Sequence, residues 1–238
     1  GDFASCSFYP AHHITMGEGG FVATRTCEQE RVVRSFREWG RGCYCVGKQA
    51  NLLRDGTCKK RFSNWLPSLE DEVFDHKFVY EEIGYNLKPI ELQASMGLVQ
   101  MSKLDIIHNK RKENYKKLYE IFKKYEEHLI LPVATDKSDP SWFAFPMTLR
   151  NSAPFKRKDI TMFFENNKIQ TRTYFAGNIL LQPAYTHLMN PEKVIKEFPI
   201  ARKVTTDTFF IGTSPVITDA QIQYIGSIAE KFFKTVES

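Results

Sequence analysis

Two histidines stand side by side at positions 12 and 13, within the stretch Ser-Phe-Tyr-Pro-Ala-His-His-Ile-Thr-Met-Gly-Glu-Gly-Gly of residues 7–20. An imidazole with an unperturbed pKa of about 6.5 can take up or release a proton near neutral pH, which suits it to general acid–base work. A histidine beside a turn serves structure more often than chemistry, so the pair needs its surroundings to decide. A second stretch crowds together Cys43, Cys45 and Cys58, three of the five cysteines. Crowded thiols in a chain without a visible export signal favour metal or redox use over structural disulfides. Zinc sites usually present two spaced cysteine pairs, and this spacing does not.

The elements that must position these residues can be read from their periods. Residues 2–8 alternate weakly, as a strand does. The glycine turn at 17–20 feeds a second strand, Phe21 to Thr24. Val32, Val33, Phe36 and Trp39 fall at helical spacing and predict a helix over 28–39. Residues 40–75 show no period. A long helix is expected after Pro89, with Leu104, Ile107, Tyr115, Leu118, Phe122 and Tyr125 on one face. Strands are expected at 129–133, 142–149, 170–175 and 205–212, and a helix at 156–169. Thr218 and Gln221 form a capping box for a last helix, with Ile217 and Ile222 placed as its hydrophobic staple.

Strands and helices alternate from residue 89 onward, which argues for a self-contained α/β unit over 89–238. Residues 1–88 hold too few strands to close a sheet. They read as the remainder of a larger domain, and the chain as the later part of a longer protein. With 238 residues, 42% of them hydrophobic and 26% charged, the composition is that of a globular protein. The net charge of +5 is spread out apart from residues 109–117, which suggest a solvated helix face rather than a nucleic-acid site. No run of about 18 apolar residues appears, so no membrane span is expected. A cytoplasmic location is expected.

The stretch at 7–20 resembles the active-site segment of the DegT/DnrJ-type sugar aminotransferases, of the pyridoxal-phosphate fold type I. There a lysine that carries the cofactor stands where this chain has His12. Residues 84–101, 139–149 and 171–185 are similar to further family segments. The resemblance implies an α/β fold: the C-terminal portion of a large cofactor-binding domain, then the complete small C-terminal domain. Histidine in place of lysine is similar to the sugar 3-dehydratase branch, which uses pyridoxamine phosphate (PMP) or pyridoxal phosphate (PLP) without a covalent lysine link. By this resemblance His12 is the base; His13, the next residue along a strand-like segment, should point its side chain to the other face and reads as a structural imidazole. Ser7 meets the cofactor phosphate, as does Asn86 from a neighbouring subunit, which implies a homodimer with shared active sites. Arg172, Asn178 and Gln182 would approach a nucleotide-diphosphate sugar, for whose phosphates an arginine fork is suited. The implied reaction removes the C3 hydroxyl of a nucleotide-linked 4-keto-6-deoxyhexose in deoxysugar and O-antigen biosynthesis.

Within that branch, the segment around Cys43, Cys45 and Cys58 is similar to one that binds a [2Fe–2S] cluster served by a flavin iron–sulfur reductase. Such clusters take four ligands, usually thiolates. The resemblance places the fourth upstream of the histidines, beyond residue 1, and Cys6 and Cys27 read as buried or idle thiols. Two other readings are an ordinary aminotransferase using Lys48 or Lys59, and a non-catalytic subunit of the same fold.

Overall fold

The computed structural model describes residues 1–43, 58, 60–69 and 71–236. It forms two compact units, Gly1–Ser102 and Lys103–Ser238. The sequence reading puts the change at residue 88, so the helix just after Pro89 falls in the first unit instead. The expected long helix is two: α2 (Glu91–Met101) and α3 (Leu104–Phe122).

In the first unit, β1 (Phe3–Ser7) and β2 (Gly20–Thr24) pair antiparallel, with Ser7 opposite Gly20. α1 (Cys27–Arg37) follows. Its cap is Thr26, whose hydroxyl accepts the Gln29 N–H at 3.2 Å while the Gln29 side chain reaches back to the Thr26 N–H. The helix ends in a left-handed turn at Trp39 (φ +62°) and Gly40 (φ +81°). Onto that turn docks the segment Gly84-Tyr85-Asn86. Trp39 donates to the Tyr85 carbonyl at 2.9 Å, Tyr85 to Phe36 at 2.7 Å, and Leu87 to Arg37 at 3.1 Å. The backbones meet so closely that a Cβ on Gly84 would lie 2.1 Å from the Gly40 nitrogen. A short ribbon, β3 (Phe62–Ser63) and β4 (Phe74–Asp75), completes the unit. The Arg61–Asp75 ion pair (2.6 Å) and a Trp65–His76 ring stack (3.9 Å) support the ribbon. α2 buries no residue: Leu92 is 69% exposed and Leu98 73%.

The second unit carries the larger core. Its sheet has the order β5-β6-β8-β7, antiparallel throughout: β5 (Leu129–Ile130), β6 (Ala144–Leu149), β8 (Thr208–Gly212) and β7 (Arg172–Thr173). α3 and α4 (Arg157–Asn166) pack on this sheet, and α7 (Asp219–Val236) packs on both helices. Leu118, Phe122, Phe145, Met147, Phe164, Phe209 and Ile228 are among the side chains sealed between them. The expected capping box of α7 is present, with the Thr218 N–H on Gln221 at 2.9 Å. Ile222 is buried and Ile217 packs against the same core. α5 (Pro191–Glu197) and α6 (Pro199–Asp207) were not foreseen. Each opens on a proline at its first position, where the missing N–H costs nothing. Residues 205–207 end α6 instead of beginning β8.

Two outcomes follow. Gly84→Ala forces the docked segment off α1 and destabilises the first unit by about 3 kcal/mol, the upper range for overpacking, as read by denaturant unfolding. In the second unit, the Thr171 N–H (2.5 Å) and hydroxyl (2.7 Å) both donate to Glu165, tying β7 to α4 and holding that carboxyl below its usual range. This stability is present above the unfolded carboxyl value of about 4.3 and is lost as pH falls through the lower folded value. The protection of the Thr171 amide, measured against the unfolded exchange rate at the same pH, therefore falls under acid, and Glu165→Gln flattens that dependence.

Candidate active site

The histidine stretch is the connection between β1 and β2. Beyond the last ladder pair the Phe8 N–H donates to the Gly19 carbonyl at 2.9 Å, closing residues 9–18 into a loop. Inside it, Met16 donates to the Phe8 carbonyl at 3.0 Å and His12 to the Tyr9 carbonyl at 2.9 Å. Ile14 and Met16 are buried and pin the loop down, with Gly97 of α2 against Met16. Gly19 has φ +145°, and a Cβ there would fall 2.6 Å from the Met16 sulfur. One methionine thus explains much of the Gly-Glu-Gly-Gly turn.

His12 is exposed, and its ring stands edge-on to Tyr9 with centroids 6.2 Å apart. His13 is half-buried. The strand rule that would point the two rings to opposite faces does not apply, because both residues lie in the loop; unequal burial separates them. The Ser7 hydroxyl accepts the Tyr9 N–H at 3.2 Å and keeps its own proton to donate. Ser7, Gly19, Gly20, Arg34 and Arg37 line a cavity of about 820 Å³ that Leu87 and Pro89 also reach. A donor hydroxyl beside two crowded glycines and two guanidinium groups is chemistry that fits a phosphate. Both arginines are partly engaged, Arg34 with Glu30 at 2.7 Å and Arg37 with Glu38 at 3.0 Å.

Asn86 is exposed, and its backbone forms a bridge with Glu38. Burial works to raise the Glu38 pKa, but hydrogen bonds from Lys88 and Arg37, both at 3.0 Å, outweigh it and hold the carboxyl below its usual range. The charged Glu38 therefore anchors both the end of α1 and the segment carrying Asn86. Ser7 ends β1 and His12 lies in the loop that follows it; Asn86 is held by a separate set of contacts, its neighbours Leu87 and Pro89 reaching the Ser7 cavity.

Cys43 and Cys58 are half-buried. Cys45, Lys48 and Lys59 lie outside the described residues. Among the described residues no three His, Cys, Asp or Glu side chains group as a metal site. Cys6 and Cys27 are exposed rather than buried, because β1 and the start of α1 cover little of their own surface.

In the second unit Arg172 is exposed on β7. Asn178 is buried; its side-chain oxygen accepts the Leu180 N–H at 3.1 Å, and its own N–H donates to Thr205 at 2.8 Å. The Gln182 amide donates to the Ala176 carbonyl at 2.9 Å. These two side chains hold the shape of the loop after β7. Sequence reading missed this structural use, although an asparagine two residues before a bonded N–H is a common turn signature. It also missed Glu38, Lys88 and Met16, whose importance comes from contacts distant in sequence.

No helix among the described residues is long and apolar enough to cross a membrane. The profile of the DegT/DnrJ/EryC1/StrS aminotransferase family matches residues 1–230. The chain is 42% identical over 233 residues to the lipopolysaccharide biosynthesis protein RfbH of Salmonella typhimurium, covering 98% of this chain and 52% of that protein. It is also 42% identical over 231 residues to dTDP-4-dehydro-2,6-dideoxy-D-glucose 3-dehydratase of Saccharopolyspora spinosa, covering 97% and 48%. The chain thus spans about half the length of these curated relatives. Among solved structures, E. coli GDP-4-keto-6-deoxy-D-mannose-3-dehydratase with bound hydrated PLP is similar, with a TM-score of 0.71 at 21% identity over 96% of this chain and 54% of that one. An aminotransferase from Psychrobacter cryohalolentis reaches a TM-score of 0.76 at 17% identity, over 100% and 57%. These likenesses bear out the α/β fold of the PLP-dependent aminotransferases. The chain belongs to the DegT/DnrJ/EryC1/StrS aminotransferase family.

Proposed function

We propose that the protein removes the C3 hydroxyl of a nucleotide-linked 4-keto-6-deoxyhexose in deoxysugar or lipopolysaccharide biosynthesis, with His12 as its base. The observation that carries this reading is an imidazole, not a lysine amine, on the closed loop between β1 and β2. The 42% identity to a named 3-dehydratase supports it. PMP, when bound, supplies an amine that condenses with a ketone and a ring that accepts electron density. Ser7 would donate its free hydroxyl proton to the cofactor phosphate. Asn86 would reach the phosphate of a neighbouring subunit's cofactor, making the enzyme a homodimer with shared sites. His12, exposed and fixed through its backbone bond to Tyr9, takes a proton and returns it to the departing C3 hydroxyl, which leaves as water. Arg172 would face the substrate diphosphate, on a loop whose shape Asn178 and Gln182 maintain.

Cys43, Cys45 and Cys58 would supply three of the four thiolates of a [2Fe–2S] cluster, with a flavin iron–sulfur reductase as electron source. The proposed location is cytoplasmic.

Replacing His12 by Asn in the whole enzyme tests the central assignment. Loss of C3 dehydration by about 10²–10⁴-fold, with cofactor absorbance retained, is expected for a general base. Retained turnover would overturn the role. A covalent lysine adduct after borohydride reduction with pyridoxal phosphate would instead establish an aminotransferase.

A further inference from the structure

The guanidinium of Arg172 is held by neutral groups alone. Its backbone is fixed first, since β7 pairs with β8 and sets Arg172 opposite Phe210. Residues 170–172 run exposed, buried, exposed, so Gln170 and Arg172 share the outer face while Thr171 turns inward to Glu165. Arg172 donates from Nη2 at 2.6 Å and from Nη1 at 3.1 Å to the Gln170 side-chain oxygen. The Gln170 amide must present its oxygen there, because its NH2 would meet only donors. Nη1 also donates to the Thr171 carbonyl at 3.2 Å. Among the described residues no carboxylate lies within ion-pair distance of Arg172. Glu165 is engaged by the Thr171 N–H and hydroxyl, which chiefly hold its carboxyl below the usual range; Arg172 adds a smaller lowering without forming an ion pair.

We infer that Gln170 is a positioning residue for Arg172: a neutral acceptor that aims the guanidinium while leaving its charge to an anionic ligand. This rests on the reading of Arg172 as the contact to the substrate diphosphate. A single oxygen bonded to both Nη groups sits at the end of the guanidinium. The Nε–H and the outer Nη2–H are left side by side along its edge. That edge is the fork that meets two phosphate oxygens at once. An arginine side chain is long and loses much rotamer freedom when it is ordered. Ordering it before a ligand arrives lowers the cost of binding. A carboxylate at position 170 would order it too, and would bond it more strongly. It would also neutralise the charge that attracts phosphate. The glutamine amide supplies the same geometry without that loss.

The test is calorimetric binding of pyrophosphate, CDP, GDP and dTDP to the whole enzyme, a readout that needs no turnover. Arg172→Gln is the reference and should weaken the diphosphates by at least about tenfold. Gln170→Leu, of similar size, should weaken them by about threefold with an unchanged melting temperature, and Gln170→Glu by about tenfold or more. A merely structural glutamine requires the reverse order, because glutamate keeps the acceptor and leucine does not. In the Arg172→Gln background neither change at position 170 should move the affinity by more than about twofold. The inference is overturned if Gln170→Leu binds as tightly as the parent, if Gln170→Glu is the milder of the two changes, or if their effects persist without Arg172. A weakened Arg172→Gln beside an unaffected Gln170→Leu sinks the inference alone. If Arg172→Gln itself leaves the affinity unchanged, or no probe binds the parent enzyme, the reading of Arg172 fails and takes the inference with it. Failure of the His12 assignment leaves these affinities untouched.

Discussion

The hydrogen bond from Phe8 to Gly19 is the constraint on which the site depends. It extends the β1–β2 ladder by one step and fixes where the intervening residues begin and end. A strand pair that slips by one residue turns every side chain to the other face, so the ladder must be in register before His12 has a position at all. Met16 then secures the inner side of the loop, because its sulfur occupies the space that any side chain at position 19 would need. The imidazole is placed by backbone geometry on an exposed part of the loop.

A second arrangement works through charge and close approach. Trp39 adopts a left-handed conformation that a bulky residue rarely tolerates. The ammonium of Lys88 sits 3.9 Å from its ring centre and the guanidinium of Arg41 at 4.8 Å. Such contacts contribute about 0.5–1 kcal/mol each at exposed sites, which offsets part of the strain. The same lysine bonds Glu38, and Glu38 bridges to Asn86. Cys43 lies five residues after Glu38. The end of α1 therefore fixes both the asparagine segment and the near end of the cysteine stretch.

Much of this was legible in the residues. Thr218, Gln221, Ile217 and Ile222 mark the start of α7 because a capping box and its staple are local and chemically specific. The strand at 142–149 shortens to 144–149 but keeps its inward residues Phe145, Met147 and Leu149. α2 was harder to delimit, since leucine, valine and methionine occupy all its sides and give no period. α5 and α6 were missed although Asn190-Pro191 is a cap followed by a first-turn proline; each helix is too short for a periodic pattern to stand out. The family resemblance carried the His12 assignment. Contacts across long sequence separations, such as Glu38 with Lys88 or Gly40 with Gly84, could not be seen in any local pattern.

The thioether of Met16 gives the loop an unexpected exposure to oxidants. Conversion to the sulfoxide would add a polar oxygen to a buried side chain packed against Gly19 and Gly97. There is little space beside Gly19 to receive it, so the swollen side chain would have to leave its seat and take the hairpin connection with it. Oxidative damage at this sulfur would then reach the neighbouring imidazole without modifying it, and enzymatic reduction of the sulfoxide would restore the original packing.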